Sequence, residues 1–169
     1  MPLQIMLATM LVTLSCKAQT NYNELTTAQY HNITFNHVSL IDLLEFDGNI
    51  NDLSSLFGIS LTDVTHSNND VGNDYDSPSI AISYFEDELA SIKVKSSAII
   101  VNIDGIDIRI GDNITQLALG YNGFNTFVDP SNNTERFALF KPMYDDSDVY
   151  IVYNASTGLI QEIGYFSPT

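Results

Sequence analysis

The sequence predicts an α+β fold in which short helices pack on an antiparallel sheet. A short motif that ends in glycine occurs twice, and a pair of β-rich runs follows each copy. The length of 169 residues, with 44% hydrophobic and 16% charged side chains, is typical of one globular domain with a substantial core. Together these observations favour a duplicated unit of a helix followed by a β-hairpin.

The first fifteen residues are typical of an export signal. Residues 1–15 contain no charged side chain, and Ile5 to Leu14 form an apolar run. That run is shorter than the roughly 20 residues that a membrane-spanning helix needs. We therefore expect a signal segment that is removed on export.

Cys16 is the only cysteine of the chain, and the small residue Ser15 precedes it. This segment resembles a bacterial lipoprotein signal, in which cleavage precedes the cysteine and the sulfur is lipidated. The resemblance implies a lipoprotein of the cell envelope, anchored through Cys16 on the outer membrane or the periplasmic side. The alternatives are cleavage after Ala18, which leaves a secreted protein, and a buried N-terminal helix with Cys16 in the core.

Residues 16–36 form a polar stretch rich in Asn, Thr and Gln. They show no sustained helical or strand periodicity before Ile33, so the sequence predicts a flexible, lipid-anchored tether. A single globular domain is then expected over residues 37–169.

The repeated motif predicts two short amphipathic helices. Residues 48–58 read GNINDLSSLFG, and residues 111–120 read GDNITQLALG. An Ile and a Leu three residues apart share one face of a helix, and an Asn or Asp before them is a favourable N-cap. A glycine at the end stops a helix because it adopts the left-handed conformation at low cost.

Each predicted helix is followed by a predicted hairpin. Residues 80–85 and 89–94 flank the acidic turn at 86–88, and residues 149–153 and 159–166 flank a turn at 154–158. Alternating apolar residues over 106–110 predict a further strand. The domain then divides into repeats of about 37–100 and 101–169, and the alternative is chance similarity within one β-rich sandwich.

Tandem units of a helix and a hairpin in an exported protein resemble two bacterial families. These are the β-lactamase inhibitor proteins and the small outer-membrane lipoproteins of the BamE type. The resemblance is carried by Ile50, Leu53, Leu56 and Gly58 with the hairpin at 80–94, and by Ile114, Leu117 and Gly120 with the hairpin at 149–166. The resemblance implies protein binding by an exposed sheet face and no catalysis.

The charge and the motifs narrow the functional classes. With 21 acidic and 6 basic residues, the net charge of −15 argues against nucleic acid and anionic membrane surfaces as partners. No nucleophile elbow, phosphate loop or metal-binding motif occurs, so we expect no enzyme, no cofactor and no small-molecule substrate.

The preferred function is binding of an unknown protein partner. The alternative is a secreted or periplasmic inhibitor or immunity-type protein whose acidic surface meets a basic enzyme or toxin. The acidity is equally compatible with a saline environment.

Tyr121, Phe124 and Phe127 are the candidate partner-binding residues, because glycine-flanked aromatic side chains on a loop can anchor a partner. The alternative is that this loop folds back onto the sheet.

Asp70, Asp74 and Asp76 are calcium candidates in a loop rich in oxygen donors, although its spacing is not that of an EF-hand. A solvated acidic loop is the alternative there. His31, His37 and His66 lack a partner motif and are interpreted as exposed polar residues.

Overall fold

The computed structural model describes residues 22–65, 72–121, 123–129, 132–143 and 145–168. This part of the chain holds four short helices and two sheets, of nine and four strands, so the predicted α+β class is confirmed. The expected export signal and Cys16 lie outside the described residues.

The predicted tether is wrong from residue 22 onward, because this segment belongs to the folded domain. It forms β1 (Asn23–Leu25), α1 (Thr27–His31) and β2 (Thr34–Phe35). Thr26 caps α1 through a reciprocal capping box with Gln29. Tyr30, Ile33 and Phe35 are at most 1% exposed, and this burial anchors the segment to the core.

The first predicted helix is confirmed. After β3 (Val38–Ser39), α2 (Leu40–Leu44) and α3 (Ile50–Phe57) cover the next part of the chain. Asn49 accepts hydrogen bonds from the amides of Asn51 and Asp52, and Gly58 ends α3 in the left-handed conformation at φ 64°. Leu53 and Phe57 point into the core.

Four strands follow α3, namely β4 (Thr62–Asp63), β5 (Gly72–Asp76), β6 (Ile80–Phe85) and β7 (Glu88–Val94). The hairpin of β6 and β7 is the predicted one, and its two-residue turn places Glu86 and Asp87 at positive φ. The expected acidic loop is corrected at residues 72–76, which form β5 and pair with β6 along their whole length.

A second hairpin of short strands, β8 (Val101–Ile103) and β9 (Ile106–Ile108), precedes α4 (Thr115–Gly120). The role predicted for Gly120 is wrong, because it lies within the helix and Tyr121 follows as the C-cap. A Cβ at Gly120 would lie 2.3 Å from Cδ1 of Ile106, so a larger residue there would require the Ile106 side chain to move.

The last strands are β10 (Phe127–Asp129), β11 (Asn132–Pro142), β12 (Asp148–Asn154) and β13 (Ile160–Phe166). The pairing of β12 with β13 confirms the predicted hairpin at 149–166.

The large sheet runs β1-β11-β12-β13-β7-β6-β5-β4, with β10 also paired to β11, and the small sheet runs β3-β2-β8-β9. In the large sheet, the described strand pairs are antiparallel except for β1 and β11, which lie parallel to each other. One face of the large sheet carries the core, to which Ile82, Ile92, Ile151, Ile163 and Phe140 contribute. The opposite face positions the candidate site.

Candidate functional site

The opposite face of the large sheet presents a set of outward side chains in cross-strand register. Phe127 is opposite Phe137, Leu139 is opposite Tyr150, and Gly164 lies between Tyr150 and Lys93. Because side chains alternate along a strand, these residues point away from the buried core. We call this surface the open face: Phe127, Phe137, Leu139, Tyr150, Glu162, Gly164, Phe166 and Lys93.

The open face combines partly exposed aromatic side chains with small or polar ones. The rings of Phe127 and Phe137 stack with their centroids 5.3 Å apart and their planes at 14°. Phe166 at the end of β13 is 52% exposed. Aromatic side chains on one wet sheet face supply the large contact area on which protein interfaces depend.

A hydrogen-bonded pair and an ion pair hold the centre of the open face. Tyr150 donates from its hydroxyl to Oε1 of Glu162 at 2.9 Å, and Nζ of Lys93 lies 3.1 Å from Oε2 of the same residue. Burial, and then the bond to Glu162, raises the pKa of Tyr150 far above its usual value, so the phenol stays neutral. A Cβ at Gly164 would lie 2.5 Å from the hydroxyl oxygen of Tyr150, so the glycine makes room for the ring.

Asp148 occupies the edge of the open face, opposite Phe166. Burial raises the pKa of this carboxyl, and the positive charge of Lys141 partly offsets the effect. Lys141 in turn lies 5.0 Å from the ring centroid of Tyr22, in the geometry of a cation–π contact.

The three sequence-predicted aromatic residues separate into two groups. Tyr121 and Phe124 pack on the buried ring of Phe140, with centroids 5.5 Å and 6.2 Å away, so this part of the loop folds back as the alternative expected. Tyr121 also donates from its hydroxyl to the carbonyl of Glu24 at 2.5 Å. Phe127 alone lies on the open face. Partner binding by these residues stays a prediction.

A second surface feature is a cleft of about 320 Å³ between the segment after α2 and one end of the large sheet. The rings of Phe46, Tyr75 and Tyr84 form one wall, with centroids 5.9 Å apart for Phe46 and Tyr84 and 6.3 Å for Tyr75 and Tyr84. Glu45 and Asp47 line the cleft on the helical side, and Asn73 and Asp87 on the sheet side.

The geometry of the cleft depends on two close contacts. Tyr84 donates from its hydroxyl to the carbonyl of Leu43 at 3.1 Å, and this bond joins the end of α2 to β6. A Cβ at Gly48 would lie 2.8 Å from the ring of Phe46, so the glycine lets this ring lie against the backbone. Burial raises the pKa of Tyr84 well above its usual value, so this phenol contributes no charge to the wall of the cleft.

Two of the three calcium candidates lie in the described part of the chain, and calcium binding stays a prediction. Asp70 lies outside it, Asp74 is a half-buried residue of β5, and Asp76 forms an ion pair with Lys95. Among the described residues, no three His, Cys, Asp or Glu side chains are arranged to hold a metal ion. His31 and His37 belong to no such group of metal ligands among the described residues. His66 lies outside the described residues.

The sequence predicted an exposed sheet face as the binding surface but identified only Phe127 among its residues, and it gave no indication of the cleft. The strand β11 contains the apolar run at residues 137–140, which indicates a strand, but apolar residues on both faces hide which of them point outward. The cleft has no local signal, because Phe46, Tyr75 and Tyr84 come from three separate elements.

None of the helices in the described ranges is sufficiently long and apolar to span a bilayer.

Comparisons with known proteins leave the fold and the site as the only basis for a functional argument. The chain matches no protein-family model, no curated protein and no solved structure. The resemblance to the β-lactamase inhibitor proteins and the BamE-type lipoproteins therefore stays a prediction.

Proposed function

We propose that this protein is a non-enzymatic, exported protein of the cell envelope that binds another protein through the open face. The observation that carries the proposal is the set of partly exposed aromatic and aliphatic side chains on one side of a sheet whose other side is fully packed. Protein interfaces commonly combine partly exposed aromatic side chains with polar and charged ones, as the open face does around Tyr150, Glu162 and Lys93.

The open face is preorganised, which favours its use in binding. Tyr150, Glu162 and Lys93 are already joined by a hydrogen bond and an ion pair, and Phe127 is already stacked on Phe137. Side chains that are ordered before association lose less conformational entropy on binding. A partner would therefore gain affinity from a surface that needs little rearrangement.

The strand order supports the proposal that the domain is a duplicated unit, with a first unit that begins at β2, a few residues before the predicted boundary at 37, and a second at about 101–169. Reading outward from the contact of β7 with β13, the order is β7-β6-β5-β4 on one side and β13-β12-β11-β10 on the other. The small sheet has the same symmetry about β2 and β8, with β3 and β9 outside. Each unit would comprise a small hairpin, a helical segment and four antiparallel strands, which extends the predicted helix and hairpin.

Photo-crosslinking tests the binding surface. A photoreactive amino acid at Leu139 on the open face is expected to give a specific crosslink to one envelope protein in intact cells. The matched control replaces Leu119, which is 84% exposed on α4. Phe137→Ser and Phe166→Ser should each weaken the crosslink from position 139. Equal crosslinks to the same protein from positions 139 and 119 would rule out the open face as the binding surface.

Membrane attachment is tested separately, by intact mass and membrane partitioning of the native protein and of Cys16→Ala. The lipoprotein proposal expects added lipid mass on the native chain and release of the variant from membranes. Two soluble proteins cleaved after Ala18 would replace the anchor with secretion, and the binding proposal would then apply to a secreted protein.

The net charge of −15 favours a second candidate function, inhibition of a basic enzyme or toxin. Complementary charge accelerates association, so the association rate with such a target should fall steeply as salt is added. A partner whose association rate is insensitive to salt would favour the first function.

A further inference from the structure

We propose that the cleft beside Phe46 binds an organic cation, namely an alkylammonium or guanidinium group. The inference does not depend on the open face, because the cleft lies at the other end of the sheet and shares no residue with it. Two stretches of the chain, residues 44–48 and 73–87, each supply aromatic and acidic side chains to the cleft, and these stretches meet only in the folded protein.

The aromatic wall selects for cations that can lose water. The ring of Phe46 is the most exposed of the three, and it packs against Tyr84, which in turn contacts Tyr75; these two tyrosines are at most 8% exposed. The negative face of an aromatic ring attracts a cation within about 6 Å of its centroid. An alkylammonium or guanidinium group sheds water more readily than a metal ion and brings carbon atoms that pack against the rings.

The carboxylates at the rim of the cleft favour a positively charged ligand. Glu45, Asp47 and Asp87 line the cleft, and no arginine or lysine of the described ranges does so. Within the described residues, none of the three carboxylates has an ion-pair partner, whereas Glu162 and Asp76 elsewhere on the sheet do. A ligand cation would supply the missing counter-charge. Because these carboxylates are not gathered as metal ligands, a dispersed organic cation fits them better than a metal ion.

The volume of the cleft sets the size of the group. About 320 Å³ is at the lower end of the range for small-molecule sites, and it accommodates one lysine or arginine side chain or a short polyamine. The cation could reach the cleft as a free molecule or as a side chain of a partner protein, and both sources share the same chemistry.

Nuclear magnetic resonance titrations of the folded protein test the inference. The probes are spermidine and arginine amide as free cations, and a short peptide that contains arginine and lysine. Saturable shifts are expected at residues 45–48, 73–75, 84 and 87. Saturation by the free cations identifies a soluble ligand, and saturation by the peptide alone identifies a partner's side chain.

Matched variants separate the cleft from the general acidity of the protein. Asp47→Asn with Asp87→Asn should weaken binding about tenfold or more, and Phe46→Leu about threefold or more. Glu135→Gln with Asp146→Asn removes the same charge elsewhere and should change affinity by less than about twofold. If Phe46→Leu fails to fold, the exposed carboxylate pair decides alone. Shifts spread over the acidic surface, no saturation at millimolar probe, or equal loss in the control pair would overturn the inference.

Discussion

At the scale of single residues, one buried asparagine connects the N-terminal segment to the sheet. Asn23 is 1% exposed, and its side chain donates to the carbonyls of Asn125 and Leu139 at 3.1 Å and 3.0 Å. Its Oδ1 accepts from the amide of Asn125 at 2.7 Å. One buried side chain therefore forms hydrogen bonds with three partly buried backbone groups from two separate segments.

Asn23→Ala is expected to destabilise the fold by about 2–4 kcal/mol, because it leaves those backbone groups unsatisfied. Urea denaturation of the two proteins measures the difference. Asn51→Ala is the control, since Asn51 is exposed on α3 and should change the free energy of unfolding by less than about 1 kcal/mol. Equal stability of Asn23→Ala and the native protein would contradict the role given to this side chain.

A second residue-scale prediction concerns Asp148 and pH. Because burial raises the folded-state pKa of this carboxyl, its charged form is disfavoured in the folded protein. The resulting cost is absent below the ordinary pKa of 3.8 and develops as the pH rises through the raised value. Asp148→Asn should thus raise the Tm at pH 7, by the equivalent of a few tenths of a kcal/mol after solvent screening.

The same substitution should have no stabilising effect well below pH 3.8, where Asp148 is protonated in both states. Thermal melts of the two proteins across this range measure the trend. Asp146→Asn is the comparison, because Asp146 is exposed two residues away. A stabilisation by Asp148→Asn that grows toward low pH would contradict the assignment.

At the scale of elements, each helix is held by its apolar face more than by its own length. The helix α4 has six residues and lacks a side-chain N-cap, so it is too short to be stable alone. Leu117 is 0% exposed while Leu119, on the same helix, is 84% exposed. Leu117, the buried residue of this helix, therefore contributes far more to its attachment than Leu119 does.

Leu117→Ala should lower the free energy of unfolding by about 2–5 kcal/mol through lost burial and a cavity. Leu119→Ala is the matched control on the same helix, with an expected effect within about 0.5 kcal/mol. Urea denaturation of both variants provides the comparison. Similar losses for the two variants would show that helix propensity, and not core packing, holds α4 in place.

The elements also show what sequence could and could not predict. The two long hairpins were predictable, because runs such as residues 80–85 and 159–166 combine β-branched and aromatic residues around a polar turn. The segment β1-α1-β2 was missed because elements of two to five residues are too short to show periodicity. The strand β5 was missed because four of its five residues, GNDYD, are Gly, Asn or Asp, which are uncommon in strands. Its pairing with β6 overrides that preference.

At the scale of the whole molecule, the contacts that define the site are the least local ones. The pairing of β7 with β13 joins Lys93 to Gly164, and neither strand alone indicates that neighbour. Phe127 could be proposed from its loop, but its position on the open face depends on the register of β10 with β11. Long-range register is set by packing of the complete core, which a local pattern does not encode.

The whole-molecule charge leads to a prediction about salt. With a net charge of −15 and two side-chain ion pairs in the described part of the chain, screening removes more repulsion than attraction. Raising NaCl from about 10 mM to about 500 mM should increase the Tm by about 3 °C or more. KCl at equal ionic strength should give the same rise. A Tm that falls or stays constant in both salts would contradict net self-repulsion.

The parallel pairing of β1 with β11 has a mechanical consequence. β1 is the first strand described after the proposed anchor, so tension between the membrane and a partner held on the open face would enter the domain at Asn23. Because β1 lies alongside β11 in the same direction, a pull along its axis loads the hydrogen bonds together in shear instead of opening them one after another. The side chain of Asn23 adds its bonds to the same joint. In the anchored protein, the hydrogen bonds between β1 and β11 would thus resist the separation of the N-terminal segment from the sheet under tension.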